Sequence, residues 1–257
     1  MCPNDPYAYF GMPDLFTPFY DEVHISTTFT WGIERAYKLA NEWRRFAKRV
    51  KIDGPAFNNR GNNFKLGMYL RKGVTITSRG CPKKCDFCFV PKREGKIKEL
   101  PIVLGNIIQD NNLLACSKTH INKVFAMLKT QKHIDFPGGL DVYYITDKIV
   151  EQLRGLRIYQ LWLSFDKPHN EKVLKKAVRK LSQYFRRDQI RCYVLIGYEG
   201  DTIELAKDRL KLTWEIGTLP FAMLYRNENG DSRSKEWRRF QRLWTRPAII
   251  KSIMKNA

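Results

Sequence analysis

The stretch whose reading decides the fold is GVTITSRGCPKKCDFCFVPKREG, residues 73–95. Its first six residues alternate like a β-strand, and Cys81, Cys85 and Cys88 follow in a loop with the spacing C-x3-C-x2-C. Thiolates are soft ligands suited to iron–sulfur clusters and to zinc. A structural zinc site takes four protein ligands, usually as two separated pairs, and none of His24, His120, His133 and His169 lies in this loop. Zinc with a remote fourth ligand and a group of inert thiols are the competing readings. Three thiolates on a cubane cluster leave one iron without a protein ligand, and that open position is where a substrate or cofactor can bind directly. Arg79, Lys83, Lys84, Lys92 and Arg93 surround the thiols and are expected to favour the thiolate form and an anionic cluster.

Downstream of this loop, short apolar runs alternate with amphipathic helical patterns. The expected strands are residues 102–110, 134–141, 158–166, 191–198 and 219–226, and the expected helices are 118–131, 146–156, 170–185 and 204–217. Strands alternating with helices imply a parallel sheet with crossover helices, either open or curled toward a barrel. Each strand ends in glycine or polar residues, and in parallel α/β proteins the carboxyl ends of the strands form the ligand-binding rim. Upstream, DEVHIST, a helical stretch from Trp31 to Arg49 and VKIDGPAF read as one βαβ piece, closed by the Gly/Asn-rich loop NNRGNNF.

The chain of 257 residues is 43% hydrophobic, enough for a sizeable core. It has no apolar run of about eighteen residues and no secretory pattern at its start, so a soluble, cytoplasmic protein with no membrane partner is expected. Six cysteines in a chain this long do not suggest a disulfide scaffold. Cys2, Cys116 and Cys192 are isolated, and the last two sit in apolar surroundings where a buried structural thiol is expected. The formal charge of +20 favours polyanionic partners. Basic residues are densest in the tail, where SRSKEWRRFQRLWTRPAIIKS interleaves them with Trp237, Phe240 and Trp244. Such a segment can contact phosphates and stack on bases. The preferred reading is an amphipathic helix whose aromatics cap the domain while its basic face is solvated.

CPKKCDFC, with Phe87 at its aromatic position, the strand before it and the α/β pattern after it, resembles the signature of the radical S-adenosylmethionine (radical SAM) superfamily. The resemblance covers about residues 73–226 and implies an α/β fold, a partial (β/α)6 TIM-like barrel with a short N-terminal βαβ extension and a basic C-terminal helix. It implies that Cys81, Cys85 and Cys88 hold a [4Fe-4S] cluster, that S-adenosylmethionine chelates the fourth iron, and that Phe87 lies against the adenine. Where the family commonly has Gly-Gly-Glu for the methionyl amine, this chain reads QDNNLLA. Asp110, Asn111 and Asn112 are then the candidate acceptors, with helix capping by Asp110 and Asn111 as the alternative. Ser164 and Asp166 match the position that contacts ribose and carboxylate. Gly197 matches the segment packed against adenine, although residues 199–202 read equally as a loop and helix cap.

The implied activity is reductive cleavage of S-adenosylmethionine to a 5′-deoxyadenosyl radical that abstracts hydrogen from a substrate, with flavodoxin or ferredoxin as electron donor. A nucleic acid or nucleotide substrate extends the charge argument. Auxiliary-cluster chemistry is disfavoured, because no second cysteine cluster is present. Residues 1–72 resemble the last βαβ portion of the cobalamin-binding domain of some members but are too few for the whole, so a remnant without cobalamin is expected. Residues 73–225 form the expected core barrel and 226–257 the basic aromatic tail. The alternative function is a noncatalytic nucleic-acid-binding module stabilised by zinc or an iron–sulfur cluster.

Overall fold

A computed structural model of the chain describes residue 3 and residues 5–57, 69–230 and 234–255. Cys2, the loop at 58–64 and the start of the tail motif at 232–233 lie outside the described residues. The chain divides into two compact units, residues 1–72 with 226–231, and residues 73–225 with 232–257.

In the first unit, strand β1 (Tyr20–Ser26), helix α1 (Ile33–Trp43) and strand β2 (Ala47–Asp53) form a βαβ piece. The two strands run parallel, with Tyr20 opposite Ala47 and Ser26 opposite Asp53. Ile25, Ala36, Ala40 and Trp43 make its small core. The helical pattern extends to Arg49, yet α1 ends at Trp43 and residues 47–49 join the strand. Ala47 is buried by that pairing, and Lys48 and Arg49 reach Asp21 and Glu22 at 2.7 and 3.2 Å. Tertiary pairing thus overrides the helix preference of Ala, Lys and Arg.

The second unit is built on a six-stranded parallel sheet. Its strands are β3 (Val74–Thr75), β6 (Ile107–Ile108), β7 (Ile134–Asp135), β8 (Ile158–Ser164), β9 (Ile190–Ile196) and β10 (Leu219–Leu224). They lie side by side in chain order without a reversal. Between β3 and β6 a short antiparallel pair, β4 (Ser78–Arg79) and β5 (Lys98–Glu99), brackets the cysteine loop and the single-turn helix α2 (Val90–Arg93). The first crossover therefore has no long helix. The later crossovers are helices α3 (Lys118–Lys129), α4 (Asp147–Arg154), α5 (Glu171–Leu181) and α6 (Ile203–Glu215). Ser117, Thr146 and Thr202 start three of them by accepting the backbone N–H of His120, Ile149 and Leu205.

Period-two alternation splits the sheet into two faces. Leu161, Leu163, Ile190 and Cys192 are fully buried in one cluster with Leu174, Ala177, Val178 and Leu181 of α5. The alternate residues Trp162, Tyr193 and Phe221 meet ring to ring on the other face, Trp162 stacking on Tyr193 at 4.4 Å. The stretch 102–110 contributes only Ile107–Ile108 as strand, because the segment before it leaves the sheet and turns on Gly105, where a Cβ would lie 2.7 Å from the Gly73 carbonyl oxygen.

The C-terminal helix is two helices, α7 (Lys235–Leu243) and α8 (Pro247–Lys255). Pro247 has no N–H to continue the first and is suited to open the second. Trp237, Trp244 and Ile250 pack with Val194, Ile196 and Leu210, and the Trp244 carbonyl accepts the Ala222 N–H at 3.1 Å. The tail aromatics are thus core, while Lys235, Arg238, Arg239 and Arg242 are exposed. Among the described residues no helix is long and apolar enough to cross a membrane.

Candidate functional site

The cysteine loop is fixed at the carboxyl rim of the sheet by backbone geometry. Gly80 adopts φ +85°, and a Cβ there would lie 2.2 Å from the Lys96 carbonyl oxygen, so only glycine fits. The Gly95 carbonyl accepts the Cys81 N–H at 3.0 Å, and the Cys85 carbonyl accepts the Cys88 N–H at 3.0 Å. All three thiols are free and half-buried. Among the described residues no three His, Cys, Asp or Glu side chains stand as a preformed metal-ligand set.

The surroundings of the thiols differ from the expectation. Burial pushes the Cys85 thiol up, with Cys88 adding repulsion that Lys83 only partly offsets. Cys88 is likewise raised by burial, against a backbone hydrogen bond from Val90. Three of the five cations near the thiols are shared with acids, although Lys83 and Arg93 still act on Cys85 and Cys88. Arg79 and Arg93 bind Glu94 at 3.3 and 2.9 Å. Lys83 binds Asp141 at 2.7 Å and lies 4.2 Å from the Tyr143 ring centroid.

The three residues after β6 act on the loop in different ways. Asp110 is 2% exposed, and its carboxylate accepts the Thr77 N–H and hydroxyl at 2.6 Å each and the Ser78 hydroxyl at 2.7 Å. With three donors on its oxygens, Asp110 clamps the end of β3 against β4. Gly138 permits this clamp, since a Cβ there would lie 2.3 Å from the Asp110 carbonyl oxygen. Asn111 accepts the Gly80 N–H at 3.0 Å and so holds the entry to the loop. Neither residue caps a helix: Asn112 occupies the position before the short turn Leu113–Ala115, without a side-chain cap. Asn112, 4% exposed, donates its amide to Cys81 Sγ at 3.5 Å and to Asp141 Oδ2 at 3.1 Å. Its buried Oδ1 has no hydrogen-bond partner among the described residues.

The other rim loops close around the same place. Phe87 is half-buried and meets Tyr198 edge-on at 5.9 Å, and Tyr198 meets Tyr225 at 4.9 Å. Asp86 binds Lys167 at 2.7 Å. Ser164 is exposed at the end of β8. Burial pushes the Asp166 carboxyl up to about 6, opposed by the Leu195 N–H, the Ser164 hydroxyl, Lys83 and Arg209. Gly197 has φ +72°, and its N–H donates to Asp201 at 2.7 Å. Asp201 in turn is held by Arg209 at 2.7 Å. Asp141 and Tyr198 lie in the strand-end loops expected to form the rim, without an expected role of their own, and Glu94 and Lys167 carried no signal in the sequence. Cys116 and Cys192 are buried among core side chains, with Cys116 interacting with Ser78. No family model and no curated protein sequence matches the chain.

Proposed function

We propose that this protein is a radical SAM enzyme whose second unit is a partial (β/α)6 barrel. The observation that carries the reading is Asn112. Its amide touches Cys81 Sγ while its buried Oδ1 stands without a donor, the arrangement needed where a positively charged amine binds beside thiolate-held iron. Six parallel strands in chain order support the barrel, since a doubly wound sheet reverses its order at a switch point.

In this reading Cys81, Cys85 and Cys88 hold a [4Fe-4S] cluster, which supplies the electron that cleaves S-adenosylmethionine and yields the hydrogen-abstracting radical. The chain's own residues position and enclose. Asn112 accepts the methionyl ammonium. Phe87 and Tyr198 offer apolar ring surface for the adenine. Ser164 and Asp166 face the ribose as hydrogen-bonding groups, with burial raising the Asp166 carboxyl to about 6. Asp110 and Asn111 keep the loop from shifting, and the aromatic face of Trp162, Tyr193 and Phe221 excludes water from the space beneath. A small one-electron donor such as flavodoxin or ferredoxin completes the cycle.

The test is anaerobic reconstitution with iron and sulfide. The expected result is the broad visible absorption of an iron–sulfur cluster, followed by release of 5′-deoxyadenosine on adding dithionite and S-adenosylmethionine. Stoichiometric zinc with no cleavage would overturn the enzyme reading in favour of a metal-stabilised binding module.

A further inference from the structure

The opposite end of the same sheet carries a second feature, independent of the thiol loop. A cavity of about 590 Å³ opens at the amino ends of β8, β9 and β10, lined among others by Lys132, Arg157, Arg186, Arg191 and Lys251, with Asp188 the one carboxylate among the described residues of its lining. That acid is already engaged, since Arg186 binds it through two contacts of 3.2 and 3.3 Å. Arg157 is held rigidly by the carbonyls of Gln131 and Lys129 at 2.9 and 3.0 Å, which accept hydrogen bonds but bring no full negative charge. Pro247 also lines the cavity, so the positive end of the α8 dipole is turned toward it.

Arg191 is the decisive residue. It is only 7% exposed, yet among the described residues its guanidinium meets no carboxylate within salt-bridge distance, and its buried Nε has no partner. Its head lies 4.8 Å from the Trp162 ring centroid. Asp135 lies within electrostatic reach but accepts the Trp162 indole N–H at 3.0 Å. A buried guanidinium that meets no carboxylate and leaves its Nε–H unpaired is costly to maintain, and a ligand that supplies acceptors and negative charge removes that cost.

We propose that this cavity binds a phosphate-bearing small anion, with Arg191 as its anchor. A guanidinium fork matches phosphate oxygens two at a time, and the exposed lysines Lys132 and Lys251 add charge to the lining. A cavity of this size exceeds a single phosphate and falls in the range of sites that enclose an organic ligand, so the class is an organic phosphate such as a nucleotide or sugar phosphate. The site is separate from the thiol loop, which belongs to the carboxyl ends of the strands.

The experiment is calorimetric titration of the full chain with inorganic phosphate, pyrophosphate and adenosine monophosphate, with tryptophan emission followed in parallel. Saturable binding is expected, with an emission change that Trp162→Phe removes, and with affinity reduced at least tenfold (about 1.4 kcal/mol) by Arg191→Ala and partly regained by Arg191→Lys. Lys251→Gln, at an exposed position, serves as the variant that does not disturb the interior and should weaken binding about threefold, a typical contribution of an exposed charge. Absence of saturable binding, or binding indifferent to Arg191 and Lys251, would refute the site. Single-stranded oligonucleotide binding that depends on Arg191, without response to the three small anions, would refute the small-ligand assignment.

Discussion

The two ends of the parallel sheet are made of the same strands and carry opposite chemistry. At the carboxyl rim the cations are matched by acids: Lys83 by Asp141, Lys167 by Asp86, Arg79 and Arg93 by Glu94, and Arg209 by Asp201. Among the described residues, the buried side-chain atoms without a partner there are the acceptor Asn112 Oδ1 and the Nε donors of Arg93 and Arg209, whose guanidinium groups are otherwise ion-paired. At the amino end the cations outnumber the acid, and the buried atom left over is a donor, Arg191 Nε. Burying an unsatisfied polar group is costly, and most so for a charge that no acid balances, as at Arg191. The proposed ligands differ accordingly, a cationic group beside the thiols at the first end and an anion at the second.

The strongest way to break this comparison is at the thiols. Cys85→Ala should abolish the reconstituted iron–sulfur absorption and 5′-deoxyadenosine release altogether, while calorimetric phosphate affinity stays within about twofold, as expected for distant independent sites; retained cleavage would refute the ligand assignment. Asp110→Ala removes acceptors from three donors of Thr77 and Ser78 and should lower the unfolding free energy by about 3 kcal/mol. In a thermal melt that corresponds to a midpoint drop of roughly 6–12 °C.

A finer cut separates metal loading from ligand recognition at the rim. Asn112→Ala should leave iron content intact and weaken S-adenosylmethionine binding about tenfold, the loss expected for one hydrogen bond to a charged group. At the amino end the corresponding change has a double sign. Arg191→Met should weaken phosphate binding at least tenfold yet raise the unfolding free energy by about 1 kcal/mol, because an apolar side chain replaces a buried unpaired charge; a destabilised variant would show that the guanidinium serves the fold. The smallest effect belongs to a residue that serves neither end. Ser117→Ala removes the cap of α3 and should cost about 1 kcal/mol in denaturant unfolding, with iron loading unchanged.

Much of this was legible along the chain. The period-two apolar runs located β8, β9 and β10 to within a residue or two, since each is long and buried on one face. The short strands β3, β6 and β7 pair over two residues each, too few for alternation to mark their ends. The antiparallel pair β4 and β5 was not legible, because KIKEL carries no turn signal that identifies its partner. The tail read as one helix because its amphipathic pattern continues past Thr245, although Pro247 marked the break. At the rim, Cys81, Cys85 and Cys88 were evident from spacing alone, whereas Asp110, Asn111 and Asn112 looked alike. Their different roles depend on which way each side chain leaves the backbone.

By itself the sequence determined the thiol loop, the alternation of strands and helices and the excess of positive charge, because these depend on residue type and local spacing. Only the tertiary structure decided that the charge is paired off at one end of the sheet and left unpaired at the other. Arg191 shows why: its codirectional neighbours on β8 and β10 and the turn before α8 are remote in the chain, and whether a buried guanidinium meets a carboxylate is settled by which segments fold against it.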